Sequence, residues 1–170
     1  MTTTDTIIGT TGPALDWLHA AQRATAQAGL HRDPVVRDGG AGLLDLASND
    51  YLGMSRNPVV LAAARTAIDE WGAGSTASRL VAGTTRAHLD LEGEIAEFLG
   101  FPSALVFSSG YLANVGAITA LVGRGDLIVS DTGTHASLID GCRLSRARVV
   151  VVDRGDHDAV RAALAARDEE

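Results

Sequence analysis

No lysine occurs in this chain of 170 residues; all fourteen of its cationic side chains are arginines. The chain therefore has no side-chain amine for Schiff-base chemistry. Cysteine is nearly as scarce: Cys142 stands alone, which excludes an intrachain disulfide and a cysteine-built zinc or iron–sulfur centre. A lone cysteine near a helix reads first as a small core residue and only second as a reactive thiol. The five histidines, at 19, 31, 88, 135 and 157, show neither HExxH nor any paired spacing, so no metal site is expected. No apolar run approaches the ~20 residues needed to cross a bilayer. Residues 1–11 lack the basic start and apolar stretch of a secretory signal, and the expected location is the cytoplasm. Positive charge is outnumbered too. A net charge of −7 argues against broad binding to nucleic acid or to an anionic membrane surface.

What is present is a folding composition. Hydrophobic residues make up 46% of the chain, and length alone suggests one domain with a core of reasonable size. Residues 1–12 are rich in Thr and Gly. Pro13 suits the first turn of a helix whose apolar positions run from Leu15 to Ala28, with Gly29 as C-terminal cap. A Gly- and charge-rich linker follows, then a short expected strand at 43–47 and the loop "SNDYLGMS". Asn57 and Pro58 open a second helix, closed by Gly72; a long small-residue loop, 72–85, separates it from a third, closed by Gly100. Loops of that length within compact domains are more often functional than passive.

From residue 103 the rhythm changes. "SALVFS" (103–108), "DLIVS" (126–130) and "RVVVVD" (148–153) read as strands, alternating with helices at 110–122, 135–144 and 156–167. Continuous Val, Ile and Leu without polar alternation marks strands buried on both faces, and strand–helix repetition makes the sheet mostly parallel. The expected class is α/β, with three layers. Residues 1–45 are expected to form a helical arm and linker, and 46–170 the first part of a larger domain. Three or four strands with one open edge would be an awkward place to finish, so the chain reads as the front of something longer or as a truncated product.

Ligands of open α/β sheets gather at the carboxyl ends of the strands. That rule collects Ser108–Tyr111 after one strand and Asp131–His135 after the next. Small residues at a strand-to-helix junction leave backbone N–H groups able to hold a phosphate, and a flat ring beside them suits an aromatic ligand. Each element also has a plain structural reading: an ordinary turn at Ser109-Gly110, Tyr111 capping the apolar layer, His135 as an unliganded helix start, Asn114 facing solvent, Arg79 as a surface charge.

Taken in order, "LDLASNDYLG", "WGAGSTASRLVAGTTRAHLDLE", "FSSGYLANVGAI" and "SDTGTHASLIDGCRLS" resemble the α-oxoamine synthases, pyridoxal-phosphate (PLP) enzymes of the aspartate-aminotransferase-like fold. The likeness runs from about residue 13 to the end. "SNDYLG" and "SSGY" lean toward the branch that condenses L-alanine with a pimeloyl thioester, of CoA or a carrier protein, rather than toward those that acylate glycine. The resemblance implies that the large domain binds PLP, that Ser109, Gly110, Tyr111 and His135 line the cofactor, and that Arg32, Asn49 and His135 meet substrate. At the first of these positions His31 competes with Arg32, and Ala77 stands where the family more usually has Gly. It further implies a homodimer. The family's Schiff-base lysine has no counterpart here, so the isolated chain is expected to be inactive. A non-catalytic partner subunit remains an alternative reading. An unrelated nucleotide-binding domain lacks support, since neither GxGxxG nor GxxxxGK[ST] occurs.

Overall fold

The computed structural model describes residues 13–34, 36 and 46–169. The Thr- and Gly-rich start and most of the expected strand at 43–47 lie outside the described residues; Leu46 and Ala47 form a bend. The chain divides into two compact units, Met1–Asn57 and Pro58–Glu170.

In the first unit a short 3₁₀ turn, Pro13–Leu15, leads into α1 (Asp16–Gln27). Gly29, at φ +69°, closes it, and the Leu30 amide returns to the Thr25 carbonyl at 3.0 Å. That reversal needs a left-handed residue, which is why glycine marks the end. The loop that follows is tied locally. The Asp50 carboxylate accepts from the Ser55 hydroxyl (2.5 Å) and amide (3.3 Å), and the hydroxyl contact chiefly holds the Asp50 pKa below its ordinary value.

The second unit begins with α2 (Pro58–Trp71), ended by Gly72. The loop after it is not shapeless: Arg79–Gly83 form a π-helical turn, and a side chain at Gly83 would collide with the Ala77 carbonyl. Next comes α3 (Arg86–Leu99), whose first turn is closed by reciprocal bonds between Thr85 and His88. Then follow α4 (Gly110–Leu121), β1 (Leu127–Asp131), α5 (Ala136–Ser145), β2 (Arg148–Val152) and α6 (His157–Ala165). The two strands pair in parallel, from Leu127 with Arg148 to Asp131 with Val152, and α5 is the crossover between them. The α/β class and parallel pairing hold. Among the described residues no helix is long and apolar enough to cross a membrane.

The expected strand at 103–108 does not form; the described sheet has two strands. The segment is without a ladder, and the reason is side-chain competition. The Val106 amide donates to Glu92 Oε1 at 2.8 Å, and the Val106 carbonyl accepts from Arg79 at 3.2 Å. Both main-chain groups of Val106 are thus satisfied by a pair of charged side chains from the π turn and α3. The guanidinium of Arg79 is itself forked onto both oxygens of Glu92. Arg79, followed by the Val106 N–H, holds the Glu92 carboxyl down to about 2.

Helices α4 and α5 pack closely because their facing residues are small. A Cβ on Gly141 would lie 2.9 Å from Ile118 Cδ1 and 3.2 Å from its Cβ. Cys142, beside it, is buried. Gly116 of α4 plays the same part toward Phe107, whose ring would lie 3.0 Å from an added methyl.

Three outcomes are expected. Gly141→Leu overpacks the helix pair and costs about 1–3 kcal/mol, read as a lower thermal midpoint, whereas Gly93→Leu on the open side of α3 does not. Glu92→Ala speeds amide exchange at Val106 by about tenfold or more. A carboxyl pKa depressed on folding adds stability above its unfolded value and loses it as pH falls toward the folded one. The midpoint of the parent chain should therefore fall between its ordinary value of 4.5 and about 2 more steeply than that of Glu92→Ala.

Candidate functional site

The start of α4 is prepared by its own sequence. Ser109 is extended (φ −157°, ψ 155°) and its Oγ accepts from the Leu112 amide at 3.2 Å, while its carbonyl receives the Ala113 amide. The amides of Gly110 and Tyr111 precede the first residues that can reach a carbonyl within the helix, so they are left for another acceptor. A Cβ built on Gly110 meets nothing within 4 Å, so the space over the helix start is open. Open amides under a positive dipole end are suited to a phosphate. No lysine or arginine is required for that.

Two rings stand at the starts of the packed helices α4 and α5. Tyr111 is about half exposed, and its hydroxyl donates to Asp140 Oδ2 on α5 at 2.9 Å. This hydrogen bond to a carboxylate is the main cause that raises the Tyr111 pKa, and it keeps the phenol protonated. His135 caps α5. Its Nδ1 accepts from the Ser137 amide at 3.2 Å and lies 2.7 Å from the Ser137 hydroxyl, and its ring remains exposed. Ser137 is fully buried, and its hydroxyl oxygen accepts from the Asn114 side-chain amide of α4 at 2.9 Å. Tyr111 and His135 are therefore joined through α5, the first by Asp140 and the second by Ser137.

Beyond β1 and β2 lies a cavity of about 300 Å³, lined by Val129, Asp131, Val152, Asp153 and Asp156 among others. Three carboxylates make it a poor bed for a phosphate, although Arg154 stands 3.8 Å from Asp131. The phosphate-compatible end of the site is the α4 start. The ring-compatible end is Tyr111 with His135.

The second unit thus brings Ser109, Gly110, Tyr111 and His135 onto two helix starts that share packing and hydrogen bonds. Arg32 and Asn49 belong to the first unit. Arg32 is exposed, its neighbour His31 faces Asp33 at 3.0 Å, and Asn49 accepts from the Tyr51 hydroxyl at 3.3 Å. Arg79 is engaged by Glu92, and Asn114 faces Ser137 rather than solvent. Sequence reasoning passed over Ser137, Asp140 and Glu92. For Ser137 a signal existed: it lies two residues after a histidine at a strand-to-helix junction, the spacing at which a cap side chain meets an amide.

The family model described as aminotransferase class I and II matches residues 41–170. The 8-amino-7-oxononanoate synthases of Mycobacterium bovis and Mycobacterium tuberculosis are each 56% identical over 156 residues, 92% of this chain and 40% of their own length. Among solved structures, serine palmitoyltransferase of Sphingomonas wittichii superposes with a TM-score of 0.72 at 34% identity, covering 91% of this chain and 42% of that one. The 8-amino-7-oxononanoate synthase of Francisella tularensis gives 0.61 at 30% identity, covering 71% and 34%. A high-resolution structure of SPT with PLP gives 0.76 at 29% identity over 91% of this chain and 42% of that one. This chain spans about two fifths of the length of the curated relatives it matches. Since one family model accounts for everything from residue 41 onward, the chain belongs to the aminotransferase class I and II family.

Proposed function

We propose that this chain supplies the phosphate- and ring-holding part of a PLP-dependent C-acyltransferase of the 8-amino-7-oxononanoate synthase kind. That reaction joins L-alanine to a pimeloyl thioester of CoA or carrier protein with loss of CO₂, a step of biotin synthesis. The single observation carrying this reading is the open α4 start at Gly110, with the Tyr111 and His135 rings tied to one another through Asp140 and Ser137 of α5. The 56% identity to proteins of that name supports the choice of branch. In this reading residues 1–45 are an arm and linker, 46–170 open the cofactor-binding domain, and the whole enzyme works as a cytoplasmic homodimer.

The donor set fits the cofactor in part. The Gly110 and Tyr111 amides would hold the phosphate, with Ser109 fixing the helix start, and the imidazole of His135 would lie against the ring. PLP, when bound, supplies an electron sink for the carbanion left at the amino-acid α-carbon. The chain's own contribution is to hold and orient. Asp140 keeps the Tyr111 hydroxyl turned toward α5 and protonated. Asn49 and Arg32 are proposed to meet substrate, the arginine as a carboxylate partner. No side-chain amine is present for covalent attachment or for moving the α-proton, since the chain has no lysine. We therefore propose that it binds without turning over.

Equilibrium dialysis of the purified chain against PLP tests this. Binding is expected, weakened about tenfold or more by Gly110→Leu, whose Cβ meets no protein atom within 4 Å and whose bulk is added at the helix start. Product from L-alanine and pimeloyl-CoA is expected to be absent. Binding indifferent to Gly110→Leu, or no binding at all, would remove the cofactor reading; turnover would remove the claim of inactivity.

A further inference from the structure

We infer that Asn114 and Ser137 are positioning residues that lock His135 as the Nε2–H tautomer, so that its exposed edge acts as a hydrogen-bond donor. The proton inventory leaves one consistent arrangement. The Ser137 backbone amide can only donate, and it points at Nδ1 of His135 from 3.2 Å. Nδ1 must therefore present its lone pair, and the ring proton sits on Nε2. The Ser137 hydroxyl, 2.7 Å from the same nitrogen, donates to it as well. It is free to do so because its oxygen takes the Asn114 side-chain N–H at 2.9 Å. The direction of all three bonds is set from α4 outward: amide to hydroxyl, hydroxyl to imidazole, imidazole to whatever lies beyond.

Burial makes this a device rather than a surface coincidence. Ser137 is 0% exposed, so water does not compete for its hydroxyl, and a reversed bond would leave a buried donor facing a donor. No described protein group accepts from Nε2. On the reading proposed above, the acceptor it meets is anionic oxygen, the carboxylate of an amino-acid substrate, and a locked donor would select that group over an ammonium. The role is one of orientation. Neither Asn114 nor Ser137 is proposed to touch substrate.

The tautomer is directly observable. The chain is prepared with ring-¹⁵N histidine and examined by two-bond proton–nitrogen correlation at about pH 8, above the ordinary imidazole range. Resonances of His135 are assigned by their loss in His135→Gln. The parent is expected to show a pyrrole-type Nε2 and a pyridine-type Nδ1 at His135, with an Nδ1–H fraction well below that of free histidine in the same buffer, as also expected at His88, whose Nδ1 accepts from the Thr85 amide. Asn114→Asp, close to isosteric, turns the α4 group from donor to acceptor. It should draw the Ser137 hydroxyl toward itself and raise the Nδ1–H form several-fold; Ser137→Ala should do so to a lesser degree, because the backbone amide remains. A parent in the Nδ1–H form, or variants that fold with an unchanged tautomer ratio, would overturn the relay. Should neither variant fold, judged by far-ultraviolet circular dichroism, the parent decides by its Nδ1–H fraction: below that of free histidine supports the lock, equal to it overturns the lock. The measurement is made without PLP, so the relay can stand where the dialysis result defeats the cofactor reading, and can fall where that result supports it.

Discussion

The Glu92 carboxylate is the constraint from which the site end of this molecule takes its position. Arg79 forks onto both of its oxygens, and Oε1 also receives the Val106 amide, with the carboxyl side chain only 11% exposed. Val106 stands three residues before Ser109, the residue that begins α4. Fixing one therefore limits where the other can start. Phe107, between them, lies against Gly116 on the same helix, so the approach to the bend is held by charge on one side and by contact on the other. Buried charge is expensive unless paired and bonded, and here every oxygen has a partner.

From that fixed start the chemistry proceeds by small residues and short polar links. Glycine at 110 keeps the amides open, and glycine at 141 lets α5 come close enough for Ser137 to reach Asn114 and for Asp140 to reach Tyr111. Packing and polarity are thus coupled: a bulkier residue at the helix contact would lengthen both hydrogen bonds at once. On the proposed reading an anionic ligand would be met by backbone amides, which suits a chain whose acidic side chains outnumber its basic ones.

Much of the fold was legible in the sequence because its punctuation is local. Gly29, Gly72 and Gly100 end helices where their left-handed backbone allows it, and the apolar runs around Val129 and Val150 became paired strands. What escaped reading depends on distance. "SALVFS" carries a strand's pattern, yet its fate is set by Arg79 and Glu92, 27 and 14 residues away from Val106. Arg79 could be read as a surface charge or an anion ligand until its partner on α3 was in place. Ser137 has no periodic signal at all; its importance comes from being buried between two helices. The loop 72–85 reads as unusual in the sequence, but its π turn leaves no room for a side chain at Gly83 beside the Ala77 carbonyl, a constraint that no composition shows.

One consequence follows from β2. Its valines are written for burial on both faces, yet Val149 is 38% and Val151 61% exposed, and among the described residues β2 pairs on one side only. An edge of this kind, β-branched and unpaired among the described residues, offers main-chain groups on which another strand can pair. Net charge of −7 opposes such association at low ionic strength and loses its reach as salt is added. The colloidal behaviour of the isolated chain is thereby set by a contest between one sticky strand and a screened electrostatic repulsion.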